Sequence, residues 1–134
     1  MVAGAMYTIK EVAGKVGESE HTIRYYCKIG LFPFLTRDKN GVRKFTEEDL
    51  EGVRIVLCLR DTNMPLAEIK RYMDLCKQGN ETLSERLVII REQRTRAEEQ
   101  IKLIEQQIEH LKYKEQCYEQ ALETQEDYCN PLKR

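Results

Sequence analysis

Tryptophan is missing from this chain, and no apolar run exceeds about five residues, where a membrane-spanning helix needs roughly 20. No charged segment followed by a long apolar stretch opens the sequence, so no secretory signal is visible and a cytoplasmic location is expected. The five cysteines (Cys27, Cys58, Cys76, Cys117 and Cys129) include no CxxC pair, are odd in number and are irregularly spaced. In a reducing compartment they are expected to be mostly free thiols, without a disulfide framework. Paired carboxylates, a metal-ligand cluster and a glycine-rich phosphate loop are absent too, so the chain does not read as an enzyme and calls for no cofactor. Glycine and proline do not occur between Gly79 and Pro131, which leaves room for one long unbroken helix.

Nor is the chain uniformly basic. Its net charge of −1 excludes an evenly cationic surface, but the charge is segregated. Residues 20–46 hold Arg24, Lys28, Arg37, Lys39, Arg43 and Lys44 against Glu20 and Asp38, a local +4 that leaves −5 for the rest. One local cationic face on an otherwise acidic protein is the footprint of a nucleic-acid binder. With 34% charged and 41% hydrophobic residues, the chain has the surface-rich profile of a helical protein with a thin core.

Residues 1–6 carry no pattern. Thr8-Ile9-Lys10-Glu11 fits a capping box, and Ile9, Val12, Ala13 and Val16 then recur at helical spacing up to Gly17. Ser19 suits the N-cap of a second helix running through Ile23, Tyr26 and Ile29 to Gly30. Two short helices and a tight turn make a helix-turn-helix. Leu31 to Arg37, then Asp38-Lys39-Asn40-Gly41, then Val42 to Phe45 read as a small β-hairpin whose turn is favoured by Asn-Gly. Thr46-Glu47-Glu48-Asp49 starts a third helix, with Leu50, Val53, Val56, Leu57 and Leu59 as its apolar stripe. Asn63-Met64-Pro65 breaks it, and Leu66 to Lys77 forms a fourth that stops near Gly79.

Thr82-Leu83-Ser84-Glu85 reads as a further capping box. From Leu83, steps alternating between four and three residues reach Leu87, Ile90, Arg94, Ala97, Ile101, Ile104, Ile108, Leu111, Glu115, Tyr118 and Leu122. Ten of these twelve positions are apolar, a heptad seam sustained over more than five repeats. At about 1.5 Å per residue, some 40 residues reach roughly 60 Å, too long for a head of about 75 residues to cover. The seam needs a second helix, and the simplest is another copy of the chain.

Thr22-Ile23-Arg24-Tyr25-Tyr26, Gly30-Leu31, Asn40-Gly41-Val42-Arg43 and Met64-Pro65-Leu66-Ala67-Glu68-Ile69 stand in that order. Together they resemble the MerR family of transcription regulators, over roughly residues 7 to 122. The likeness is greatest to its small branch without a ligand-binding domain, which includes aldehyde- and electrophile-responsive regulators. Cys27 departs from the family, which usually has Glu there, and Val42 and Phe45 replace its usual wing tyrosines.

The fold expected is therefore mainly α: a winged helix-turn-helix head with a small β-hairpin wing over 7–79, a coiled-coil dimerisation helix over 80–122, and a tail over 123–134. The resemblance implies that the long helices pair antiparallel. It implies that a homodimer binds double-stranded promoter DNA at a palindromic operator. It further implies activation, by bending and untwisting an overlong promoter spacer so that RNA polymerase can engage. That distortion costs several kcal/mol, which phosphate contacts must offset.

The residues expected at the DNA are His21, Thr22, Arg24, Tyr25, Lys28, Arg37, Lys39, Arg43 and Lys44. Arginine forks donate two hydrogen bonds to phosphate and a tyrosine hydroxyl donates one; His21 and Thr22, at a helix N-terminus, reach toward base edges. Tyr26 shares the Ile23/Ile29 face and is expected in the core. Cys58 is the candidate sensor: it resembles in position the sensor cysteine of the aldehyde-responsive branch, and Arg54 and Arg60 stand near it in sequence to favour a thiolate. Its alternative role is a small buried hydrophobe.

Metal-responsive relatives place cysteines near the start of the long helix, where this chain has Thr82 and Ser84. His110 and Cys117 are about 10.5 Å apart along a helix, too far for one tetrahedral ion. No metal site is assigned, and Cys117 and Cys129 read as tail thiols. The other readings are a metal-responsive regulator, an architectural or excisionase-like DNA-binding protein, and a coiled-coil adaptor.

Overall fold

A computed structural model describes residues 6–37 and 40–132, leaving aside the side chains of Thr36, Arg37 and Arg43. Helix α1 (Ile9–Val16) starts where the Thr8 hydroxyl accepts from the Glu11 N–H and the Glu11 carboxylate accepts from the Thr8 N–H. That exchange satisfies donors that a helix start otherwise leaves unpaired. Gly17 closes α1 at a φ of 69°, a conformation that glycine adopts without steric cost. The Ser19 hydroxyl then accepts from the Thr22 N–H and starts α2 (Glu20–Lys28).

Strand β1 (Thr36–Arg37) pairs antiparallel with β2 (Arg43–Lys44), Thr36 opposite Lys44 and Arg37 opposite Arg43. The connection over residues 38–42 is longer than the tightest Asn-Gly turns, and Gly41 within it takes a φ of 76°. Beyond β2 the ladder gains one more rung. The Tyr7 N–H donates to the Phe45 carbonyl at 2.7 Å and the Phe45 N–H to the Tyr7 carbonyl at 2.9 Å.

Thr46 and Asp49 form a second reciprocal capping box at the start of α3 (Glu47–Asp61). Three acidic residues in its first turn complement the helix dipole. The aromatic ring of Phe34 lies where a side chain at position 52 would stand: a Cβ on Gly52 would approach its Cε1 to 2.6 Å. Asn63, at a φ of 73°, turns the chain into α4 (Leu66–Gln78). A short 3₁₀ turn (Asn80–Thr82) leads to α5 (Leu83–Thr124).

The expected capping box at Thr82 is not formed. Its hydroxyl donates to the Leu75 carbonyl at 2.6 Å and accepts from Arg86 Nε at 2.9 Å, while the Glu85 carboxylate is bonded to Arg71. An orphan carbonyl near the end of α4 outcompetes the local partner, because leaving it unpaired in a buried setting would cost more than a missing cap.

The described chain forms two units, residues 1–93 and 94–134. In the first, Val12, Ile23, Leu31, Phe45, Leu50, Val53, Val56 and Ile69 are fully buried, each contributing roughly 1.5–3 kcal/mol by leaving water. Phe45 meets Phe32 edge-on at 6.1 Å between ring centroids. The opening turns of α5 belong to this unit: Ile89 and Ile90 pack on its core. Gln93 is 4% exposed, and its Nε2 donates to the Thr62 carbonyl at 3.0 Å and hydroxyl at 2.7 Å.

The second unit is the remainder of α5 and the tail. Ile101, Leu103, Ile104, Ile108, Leu111 and Leu122 are exposed along it, Ile104 to 60%. Among the described residues no helix is long and apolar enough to cross a membrane.

Candidate nucleic-acid interface

Each helical residue turns by about 100°, so His21, Arg24, Tyr25 and Lys28 share one side of α2 while Ile23 and Tyr26 share the other. The structure divides them the same way: the first four are exposed, and Ile23 and Tyr26 are buried. Tyr25 is 47% exposed, its ring tilted against that of Tyr26. Tyr26 packs edge-on to Phe32, and its hydroxyl accepts from Arg60 Nη1 at 3.3 Å.

Arg24 approaches Glu20 to 3.6 Å, with both side chains well exposed. Such a pair is worth at most about 1 kcal/mol, so the guanidinium remains available to a stronger anion. Thr22 is half-buried and its hydroxyl lies 2.9 Å from that of Ser19, which makes it part of the helix start as well as of the exposed end. Lys44 is half-buried on β2. Arg37 and Arg43 are backbone partners in the ladder, and Lys39 lies outside the described residues.

A groove lined by Thr8, Ile9, Lys10, Glu20, Arg24, Gly41 and Val42 joins the start of α1, the start of α2 and the end of the hairpin loop. Lys10 is exposed at its edge and was not singled out from sequence. The available signal was its place in the first turn of α1, one residue after the apolar Ile9. Arg24 and Lys10 here offer charge-assisted donors to a phosphate, and Tyr25 a neutral hydroxyl beside them.

Behind α2 stands an ionic brace. The Glu18 carboxylate, just ahead of the helix, accepts from the Ser19 N–H at 3.2 Å and meets Arg60 Nη1 at 2.8 Å. Arg60 also holds Asp61 at 2.7 Å. Arg60 first, then the Ser19 N–H, keep the Glu18 carboxyl below the usual carboxylate range. The Arg60 guanidinium is held above even its own high range, chiefly by its hydrogen bond to Tyr26. This ties the start of α2 to the last turn of α3.

Cys58 is exposed on α3, so the reading of it as a buried hydrophobe is set aside. Its carbonyl accepts from the Thr62 hydroxyl at 2.9 Å. The Arg60 guanidinium is bonded to Glu18, Asp61 and Tyr26. Arg54 is exposed one helical turn earlier. Cys27 and Cys76 are half-buried. Among the described residues no three His, Cys, Asp or Glu side chains come together as metal ligands.

Comparison with known proteins places this geometry in context. A family model described as "MerR HTH family regulatory protein" matches residues 7–76, and one described as "MerR, DNA binding" matches residues 50–113. An uncharacterised HTH-type transcriptional regulator of Haemophilus influenzae is 36% identical over 86% of this chain and 85% of its own. The HTH-type transcriptional regulator AdhR of Bacillus subtilis is 31% identical over 66% of this chain and 63% of its own. A crystal structure of HiNmlR, described as a MerR family regulator lacking the sensor domain, bound to promoter DNA, is similar at a TM-score of 0.86. It is 34% identical to this chain, and the match covers 91% of this chain and 97% of that one.

Proposed function

Because this chain belongs to the MerR family of helix-turn-helix regulators, a family of DNA-binding transcription regulators rather than enzymes, we propose that it binds a palindromic promoter operator as a homodimer and activates transcription by distorting the promoter spacer. The observation that carries this reading is the exposed face of α2, where His21, Arg24, Tyr25 and Lys28 stand side by side. The β1–β2 hairpin acts as a wing: Arg37, Lys39, Arg43 and Lys44 contact the phosphates flanking the groove that α2 enters. Lys10 joins them from α1. The similar HiNmlR chain, bound to promoter DNA, supports the same use of this head.

The exposed seam on α5 supports self-association, since a row of isoleucines and leucines in water is costly. The two long helices pair antiparallel and hold two heads at a fixed separation on the operator. Replacing Ile104 and Ile108 with Asp should give monomers by light scattering, with operator binding lost; an unchanged dimer would refute the seam as the interface.

Cys58 senses an electrophile such as an aldehyde. Its exposure supports access, and the Thr62 bridge to Gln93 supports a route from α3 to the start of α5. Modification there shifts α3 against α5 and changes how the heads are presented to DNA.

The deciding experiment selects bound sequences from a random DNA pool, then transcribes from a promoter carrying the selected operator in an overlong spacer. A palindromic site and protein-dependent transcription are expected, with aldehyde response lost in Cys58→Ser and DNA binding retained. Binding without sequence preference would overturn the proposal, as would operator binding with no effect on that promoter. A full aldehyde response in Cys58→Ser would remove the sensor assignment alone.

A further inference from the structure

In the second unit the tail doubles back onto α5. Gln125 takes a left-handed φ of 61° directly after the last helical residue, Thr124, and reverses the chain. The return brings Cys129 against the helix, where it is 5% exposed.

Two other ties hold it there. Lys114 Nζ donates to the Cys129 carbonyl, and the Tyr128 hydroxyl donates to Gln120 Oε1 at 3.1 Å. Lys114, Cys117 and Ala121 recur at three- and four-residue spacing, so they share one face of α5, and Ala121 is buried there. The tail is therefore seated by contacts on both sides of Cys129. Both thiols are free, and Cys117 lies between Lys114 and Ala121 on the face of α5 that seats Cys129.

We propose that Cys117 and Cys129 are a redox-active dithiol, converted by a hydroperoxide into an intrachain disulfide that pins the tail to the end of α5. Cys117 is the more accessible of the two and reacts first. Its thiolate attacks the outer peroxide oxygen, the O–O bond breaks, and the alcohol leaves with a proton, giving a sulfenic acid. The Cys129 sulfur then attacks the Cys117 sulfur, the S–O bond breaks, and water leaves with the Cys129 proton. Two thiols and one hydroperoxide become one disulfide, one alcohol and one water, and the two electrons lost by sulfur reduce the peroxide bond. Burial, followed by the hydrogen bond with Cys117, pushes the Cys129 thiol up, which suits the later, resolving role.

The test uses the full chain with Cys27, Cys58 and Cys76 replaced by Ser, treated with one equivalent of tert-butyl hydroperoxide. Both remaining thiols should become unreactive to alkylation without forming a crosslinked dimer, and dithiothreitol should restore them. A Glu-specific protease cuts at Glu119, Glu123 and Glu126, so the oxidised chain should yield the 117 and 129 peptides joined. Adding Cys129→Ser should instead leave a Cys117 sulfenic acid that dimedone captures. The joined peptides should appear in the wild-type chain as well, which guards against a misfolded variant. Thiols that stay reactive, Cys117 running on to sulfinic acid with Cys129 present, or a bond between two chains would each overturn the proposal.

Discussion

Replacing Gln93 with Ala should loosen the seat of α5 on the head by about 3 kcal/mol. Its amide makes two hydrogen bonds to Thr62, to the carbonyl at 3.0 Å and to the hydroxyl at 2.7 Å, from a side chain that is 4% exposed. Each bond contributes about 1 kcal/mol net, and the lost methylene removes about 0.8 kcal/mol of burial. The Thr62 carbonyl, at the end of α3, also loses a partner. Gln93→Met keeps the packing and should cost about 2 kcal/mol, the hydrogen-bond part alone. Gln93→Glu turns an acceptor toward a carbonyl, so it should cost at least as much as Ala at neutral pH and recover on acidification, when the carboxyl regains a proton to donate.

Urea unfolding followed by circular dichroism reads these differences, with chain concentration held constant because any self-association would shift apparent stability. With a slope of about 1–3 kcal/mol per molar, the Ala midpoint should fall by one molar or more. An Ala variant within about 0.5 kcal/mol of wild type, or a Met variant as stable as wild type, would refute the reasoning.

Arg24→Ala should weaken operator binding and reduce the slope of log affinity against log salt by about one, measured by fluorescence anisotropy at several salt concentrations; an unchanged slope would mean that no phosphate contact was lost. Gly52→Ala should bring a clash with Phe34 that costs about 1–3 kcal/mol, offset by about 1 kcal/mol of helix propensity, and Phe34→Leu should relieve much of the clash in a double-mutant cycle. Glu18→Gln should cost roughly 1 kcal/mol at pH 7. Since the folded state lowers this carboxyl, its stabilisation is complete above the ordinary value of 4.5 and is lost as pH falls through the folded value, so wild type and variant should converge in acid unfolding curves.

What could be read from the sequence was what depends on neighbours along the chain. Thr8 with Glu11, Ser19, and Thr46 with Asp49 each complete a helix start within a few residues, and each stands where local chemistry put it. Helical phase was enough to send Tyr26 inward and leave Tyr25 outside. Thr82 failed because its partners come from α4 and not from the next turn. Lys10 escaped notice because its importance arises from a groove that also takes in Arg24 and Gly41. Periodicity ran the seam evenly through Ile90 and Ile104, yet Ile90 packs on the head while Ile104 is exposed; a heptad pattern tells which side is apolar, not what covers it. The return of the tail onto α5 depends on a left-handed glutamine, Gln125, which no turn preference announces.

A chain made from its N-terminus offers Tyr7 long before Phe45 exists. The helices α1 and α2 carry their caps within themselves and can form as soon as they are synthesised. Tyr7 must wait for the Phe45 backbone and for Glu47, 40 residues ahead, whose carboxylate accepts from its hydroxyl. Closing that span costs about 3 kcal/mol of chain entropy beyond a constant, an outlay no local contact repays. One of the last rungs of the head to form is thus written near the first residues of the chain. Trimming through Tyr7 would take two hydrogen bonds from the backbone of a fully buried phenylalanine, not shorten a dispensable end.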